Sequence, residues 1–391
     1  MTTNGDITRL LDQPGKHYVG ARLQQGRTVL DSDFNEEATL GDEERRRVLS
    51  DVVGSTGSPD SGFAAALEIG DAVTLQPVSF NGEPPVETLN YRISPGTIYV
   101  GGLRFEHEER ALGGVAGGDP IVFQRDFLQM GAADAPHTGG NHSQLTYLHG
   151  WPQWVSAAED EELRERALGD DIDTSLRVRQ MARVEVREVA DGQDCAGAWE
   201  AVRQELEAAA GGAFDDSGHE LLSPARLRVT LVPGEALDTC APCAPDDVGR
   251  YLGADNQTIR IMLAAPDRYV WGFDNASPLY RVELGPAASG LVPVRMLTEP
   301  RDEAHWPLVN TVVEFLPWSA LLDNREKVAG EVGVHLRVAE GFDPDTTSFQ
   351  LDAADLPQLD ELVREWDAAH PDIDWLPNDA DPDGRYLYLR V

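Results

Sequence analysis

The order of apolar and polar residues changes character several times along the chain. Through residues 1–30 it has no period: Pro14 and Gly15 break the opening turn, and Tyr18, Val19, Ala21, Leu23 and Val29 are scattered among polar neighbours, which reads as an extended arm. In DSDFNEE (31–37), Asp31, Ser32 or Asp33 is placed to cap a helix, and Glu36 and Glu37 fall where its positive end favours carboxylates. Phe34 and Ala38 sit one turn apart, GDEERRR is almost wholly charged, and Val48, Leu49, Val52 and Val53 restore an apolar stripe before Gly54 ends the helix. STGSPDSG then reads as a linker.

From about 64 to 130 the pattern turns to strand. The clearest case is ISPGTIYVGGLRFEHEE, where 97–100 and 103–106 flank Gly101-Gly102, a hairpin signal because both central residues can take positive φ. Residues 131–144 read as a loop, LTYLHGWPQWVS as an aromatic strand that Pro152 marks as an edge or a break, and EDEELRERALG as a short helix. In RVRQMARVEVREV (177–189), Val178, Ala182, Val184 and Val186 alternate with Arg183, Glu185 and Arg187, the pattern of a half-buried strand.

Trp199, Val202, Leu206 and Ala209 recur at helical spacing over 197–210, and Gly211-Gly212 stops that helix. Strands are expected at 226–234, 258–264, 268–273, 278–285, 311–315, 332–341 and 386–391, with a helix over 355–369 that aligns Leu356, Leu359, Leu362, Val363 and Trp366. No repeat period and no βαβ alternation occurs. The fold class is therefore β-rich α+β: antiparallel sheets and β-sandwich-like modules with short helices, behind an extended N-terminal arm and helix. Three units are expected, 1–56 as arm and helix, 57–190 as a β-rich domain and 191–391 as a second α+β domain, in keeping with 391 residues.

Charge alters the picture most. The chain carries 68 acidic against 32 basic residues, a formal net charge of −36, and its only lysines are Lys16 and Lys327. The acids are distributed, which argues against one disordered acidic tail. Such a surface suits high salt, where repulsion is screened, and points to a halophilic source; an acidic protein of an arginine-rich genome is the plainer alternative. No basic stripe exists to neutralise phosphates, so nucleic acid is not an expected partner. No membrane-length apolar run and no leader-like start are present, which points to folding in the cytoplasm without membrane insertion.

The candidate chemistry is sparse. Cys240-Ala-Pro-Cys243 has metal-ligand spacing, and Cys195 and His219 would complete a set of four; one CxxC is only half a zinc site, and a disulfide of Cys195 with Cys240 or Cys243 and free thiols are the alternatives. Asp379, Asp381, Asp383 and Gly384 imitate a calcium loop, but Arg390 stands where its bidentate Glu is required, and a turn into the last strand explains them more simply. His137, His142 and His149 lack zincin spacing. There is no G-x-S-x-G elbow, Walker loop or G-x-G-x-x-G after a strand, so neither a cofactor nor an enzymatic activity is expected.

Several stretches together resemble one family: KHYVGARLQQGRTVLDSDFNE at the start, TYLHGWPQWVSAAEDEELRERALGDDIDTSLRVRQMARVEV, ADNQTIRIML with RYVWGFDNASPLYRVEL, and REWDAA with DPDGRYLYLRV at the end. The family is an uncharacterised one often encoded with phage-tail-like extracellular contractile injection systems. The resemblance implies a structural particle component and transfers no catalytic residue. It also implies pairing of Cys195 with Cys243, with Cys240 extra. On this reading the arm and helix dock by strand addition and side-chain anchors, through Tyr18, Arg22, Gln24, Gln25, Arg27, Phe34, Asn35, Arg45 and Arg46. The partners would be baseplate, sheath, tube or cap proteins and copies of the chain itself, in a particle that stays cytoplasmic or is released. A delivered effector enzyme and a receptor-binding fibre module are the alternatives.

Overall fold

The structure, a computed structural model, describes residues 14–67, 75–78, 86–89, 91–108, 119–120, 143–169, 173–223, 228, 259–265, 268–273, 279–300, 303–321, 327–330, 333–369 and 386–391. The loop histidines His137 and His142, most of the strand expected at 226–234, Cys240, Cys243 and the Asp379–Gly384 segment lie outside the described residues.

Helix α1 spans Asp31–Val53. Its N-cap is Leu30, so none of the three expected caps holds that position. Asp33 works from inside the first turn instead, its Oδ2 accepting the Leu30 N–H at 3.3 Å, which is the returning half of a capping box. Gly54 ends the helix at φ 89°, its N–H donating to Ser50 O at 3.0 Å.

Eight short strands follow: β1 (Thr56–Gly57), β2 (Ala65–Leu67), β3 (Leu75–Val78), β4 (Val86–Leu89), β5 (Tyr91–Ile93), β6 (Gly96–Val100), β7 (Leu103–His107) and β8 (Asp119–Pro120). They pair antiparallel as β1-β6-β7, β2-β5-β8 and β3-β4. The β6–β7 hairpin turns on Gly101 and Gly102 at φ 54° and 77°, as its sequence requires. Gly102 has a second constraint, because a Cβ there would lie 2.2 Å from Arg46 O of α1.

Strands β9 (Ser143–Val155) and β10 (Arg177–Val189) form a long ribbon whose ladder runs unbroken from Ser143↔Val189 to Val155↔Arg177. Pro152 sits inside it opposite Gln180, tolerated because β9 has no second neighbour in its sheet among the described residues. The expected division of β10 into one apolar and one polar face is not kept. Val178 is exposed, whereas Met181, in phase with the charged residues, is fully buried against Val328 and Trp151. The segment between the strands makes a single 3-10 turn at Glu161–Leu163 in place of the expected helix. Arg281 holds it as a loop through Ala158 O (2.5 Å) and Glu161 (2.6 Å).

Helix α2 (Cys195–Ala210) is capped by Asp194, which accepts the Gly197 N–H at 2.8 Å, and ends at Gly211 in the left-handed region. It lies after the expected boundary at 190 and packs back on the ribbon, with Trp199 5.9 Å from Tyr147. The hairpins β11 (Ala213–Phe214) with β12 (Leu221–Leu222) and β13 (Ile259–Ala265) with β14 (Arg268–Phe273) follow.

The last unit contains β15 (Leu279–Leu284), β16 (Leu291–Met296), β17 (Val312–Leu316), β18 (Trp318–Leu321), β19 (Lys327–Ala329), β20 (Val334–Asp343), β21 (Ser348–Asp352), α3 (Leu356–Ala369) and β22 (Leu387–Arg390). Six of these strands close a barrel in the order β15-β16-β21-β20-β17-β22, every neighbour antiparallel. A barrel, not a sandwich, is thus the main β module, and closure removes its free edges. Val282, Val294, Phe315, Val338, Phe349 and Leu389 fill it, and Leu356, Leu359 and Leu362 of α3 pack against that core. One polar row crosses the barrel: Glu314 stands opposite both Arg390 and His335, and Arg390 Nη1 lies 2.7 Å from Glu314 Oε2 with both side chains buried.

The ribbon joins the units. On one side Gly150 receives the Phe105 ring of β7, which leaves no room for a Cβ. On the other, Gln153 donates to Ala329 O (3.2 Å) and Glu159 accepts the Ala329 N–H (3.1 Å). Beside this junction Lys327 is buried, its Nζ 4.8 Å from the Trp318 ring centre and 4.9 Å from that of Tyr386.

Candidate docking surface

Residues 17–30 precede α1 without a core of their own and touch its first turns at Asp33 and Glu37. Gln24–Arg27 make a turn in which the Arg27 N–H donates to Gln24 O at 3.3 Å and Gly26 supplies the positive φ (72°) a type II turn needs at its third position. The turn and its flanks shape a shallow groove of about 310 Å³ whose walls include Arg22, Gln24, Arg27, Val29 and Asp33. Three residues expected to dock therefore meet in one concavity.

One carboxylate tethers the arm. Glu37 accepts from the Ala21 N–H and pairs with Arg22 Nη1 at 2.8 Å. Both side chains are well exposed, so the ion pair contributes about 0–1 kcal/mol. The backbone N–H groups of Tyr18, Val19, Gly20, Leu23, Thr28 and Val29 have no hydrogen-bond partner among the described residues. Extended backbone with open donors is what strand addition uses.

The apolar side chains of this segment face outward. Tyr18 is 54% exposed, Phe34 60% and Val52 79%, and α1 fully buries only Ser32 and Leu40 over 23 residues. Gln25 is exposed, Asn35 half-buried, and Arg45 pairs with its own Asp42 at 3.1 Å. Arg46 is committed inside the molecule, with Nε donating to Gly101 O at 2.8 Å and Nη2 paired with Glu220. It sets the helix on the β6–β7 turn.

A polar cluster on the ribbon was not singled out by the sequence. Glu185 accepts from the Tyr147 hydroxyl and from Arg183 Nε (2.7 Å) and Arg187 Nη2 (3.1 Å), with His149 Nδ1 at 3.2 Å. Burial opposes its charge, yet these partners outweigh burial and hold the carboxyl at about 2. The Tyr147 hydroxyl is pushed well up by burial and by the same carboxylate. A carboxylate so fully engaged is a clasp across the ladder and not a free general base. The signal was the cross-strand match of Tyr147 with Glu185, invisible until the register is known.

Among the described residues no group of three His, Cys, Asp or Glu side chains is placed to hold a metal ion. Cys195 is an exposed free thiol at the start of α2, and His219 Nδ1 contacts Ser217 O at 2.5 Å. No helix among the described residues is long and apolar enough to cross a membrane. Neither a protein-family model, nor a curated protein sequence, nor a solved structure matches this chain. The resemblance to the injection-system family stands on its quoted residues alone.

Proposed function

We propose that this chain is a non-enzymatic structural component of a contractile, phage-tail-like injection particle, attached at the baseplate or cap as an adaptor, shell or fibre base. The observation that carries the reading is the outward-facing arm and helix, with open backbone donors among the described residues at Tyr18, Val19, Gly20, Leu23, Thr28 and Val29 and with Tyr18 and Phe34 more than half exposed. Apolar side chains left in water on an ordered helix favour a covering partner. Other particle subunits and copies of the chain are the partners, and the acidic surface suits a halophile whose particle assembles in the cytoplasm and is retained or released. Deleting residues 1–30 should leave a folded body that no longer joins purified particles; normal incorporation of that deletion refutes the docking role.

Tyr269 and Trp271, each more than 60% exposed and two residues apart on β14, favour a second reading, a receptor-binding fibre module. Replacing both with Ser separates the two: loss of target binding with normal incorporation supports the fibre reading.

A further inference from the structure

Helix α1 is inside out. Its buried and half-buried residues include Ser32, Glu36, Leu40, Glu43 and Ser50, mostly polar, and they lie on the face turned to the body. The opposite face carries Phe34, Ala38, Gly41, Arg45, Val48 and Val52, separated alternately by four and three residues. That spacing keeps six positions within a narrow stripe, the seam of a two-helix coiled contact. Phe34, Val48 and Val52 on it are 60%, 50% and 79% exposed.

We infer that α1 pairs antiparallel with α1 of a second copy of this chain. Two features commit the seam to that occupant. First, it is symmetric about residue 43: laid antiparallel on itself, it sets Phe34 against Val52, Ala38 against Val48 and Gly41 against Arg45. Each larger side chain meets a smaller one, and Gly41, which has nothing within 4 Å of its Cβ position, leaves space for the Arg45 stem. Second, the helix is polar in charge along its length. Residues 31–44 carry seven acids and no cation, and Arg45, Arg46 and Arg47 follow at once. A parallel pair would stack acid on acid; the antiparallel pair lays Arg45 beside Gly41 and Asp42 of the other copy. A helix of 23 residues is about 34 Å long, so the seam spans several turns. The contact is isologous, the same patch on both copies, and it closes at two.

This inference specifies the partner of α1 within the docking segment, but its test needs no particle. Two bodies of charge −36 repel in dilute buffer, so the full chain is studied in about 1 M salt, where the screening length is about 3 Å. Sedimentation equilibrium should show a concentration-dependent dimer. Val48→Glu with Val52→Glu should weaken it at least about 100-fold with unchanged circular dichroism, because both side chains are already exposed in the single copy. A chain carrying Ala38→Cys and Val48→Cys should form 38–48 cross-links on mild oxidation, located by mass spectrometry, and neither single substitution should cross-link at its own position. A wild-type chain still monomeric at about 100 µM, a dimer indifferent to the two glutamates, or 38–38 and 48–48 links would each overturn the inference. A dimer lost with the seam while incorporation persists sinks α1 docking in the particle and leaves this pairing intact.

Discussion

The barrel closes on its last strand, and the ion pair beneath that closure supports a quantitative prediction. Arg390 of β22 and Glu314 of β17 are direct ladder partners, 2.7 Å apart and 3% and 6% exposed, with His335 Nε2 3.8 Å from the other carboxylate oxygen. Glu314→Ala removes the carboxylate that lies 2.7 Å from the buried Arg390 guanidinium, and breaking such a buried pair costs about 3–5 kcal/mol. Replacing both, Glu314→Leu with Arg390→Met, removes the charges together and should recover most of that loss. The chain has several units, so one global melting curve is a poor measure, and hydrogen exchange of the amides in Val312–Leu316 and Leu387–Arg390 reads the closure directly. Glu314→Ala should speed that exchange roughly 150- to 5,000-fold, and the double variant should stay within about tenfold of the original. A single variant that changes exchange less than tenfold, or a double variant as fast as the single, would show that the pair does not hold the closing strand.

Other perturbations probe the joints. Burial pushes the Glu159 carboxyl up to about 7 against the N–H groups of Ala329 and Ser156, which favour the charged form. A carboxyl raised on folding stabilises most at low pH; its contribution, about 3 kcal/mol, is lost as pH rises from about 4.5 through about 7. Glu159→Gln should flatten the pH dependence of Ala329 amide protection over that window, measured against the wild type after correction for intrinsic exchange rates. Gly150→Ala drives a methyl into the Phe105 ring, 2.4 Å away, and should cost about 1–3 kcal/mol in urea unfolding, partly restored by Phe105→Leu. Gly102→Ala meets Arg46 O at 2.2 Å with φ at 77°, and should lift α1 from the hairpin, seen as faster proteolysis at residues 45–54 with the barrel unaffected.

Local chemistry was legible where one short stretch determines its own geometry. Gly101-Gly102 announced a hairpin and Gly211 a helix end because glycine takes positive φ without the strain a Cβ brings. Four barrel strands, β15, β17, β20 and β22, could be placed singly and β21 was not, and closure depends on pairs such as Glu314 with Arg390, 76 residues apart, that no local pattern encodes. Strand β16 was missed because Pro293 interrupts it; the proline fits since its carbonyl, not an N–H, serves the ladder through Gly285 at 2.8 Å. Glu185 was one acid among 68 until the ribbon register gathered four partners around it. The lack of period marks the arm as extended, and residues 17–30 lie on the surface outside any helix or strand. The stripe on α1 was only half seen, as Phe34 with Ala38 and then Val48 with Val52, since burial decides which face is free.

The burial of Lys327 between two aromatic rings has a practical consequence. With only one other lysine in the chain, Lys16 in the exposed arm, amine-reactive reagents have a single side-chain target besides the α-amino group. A fluorophore or biotin ester therefore reaches Lys16, whose Nζ lies 5.8 Å from the Tyr18 ring centre, without any engineered handle, and shielding of that amine reports on occupancy of the arm.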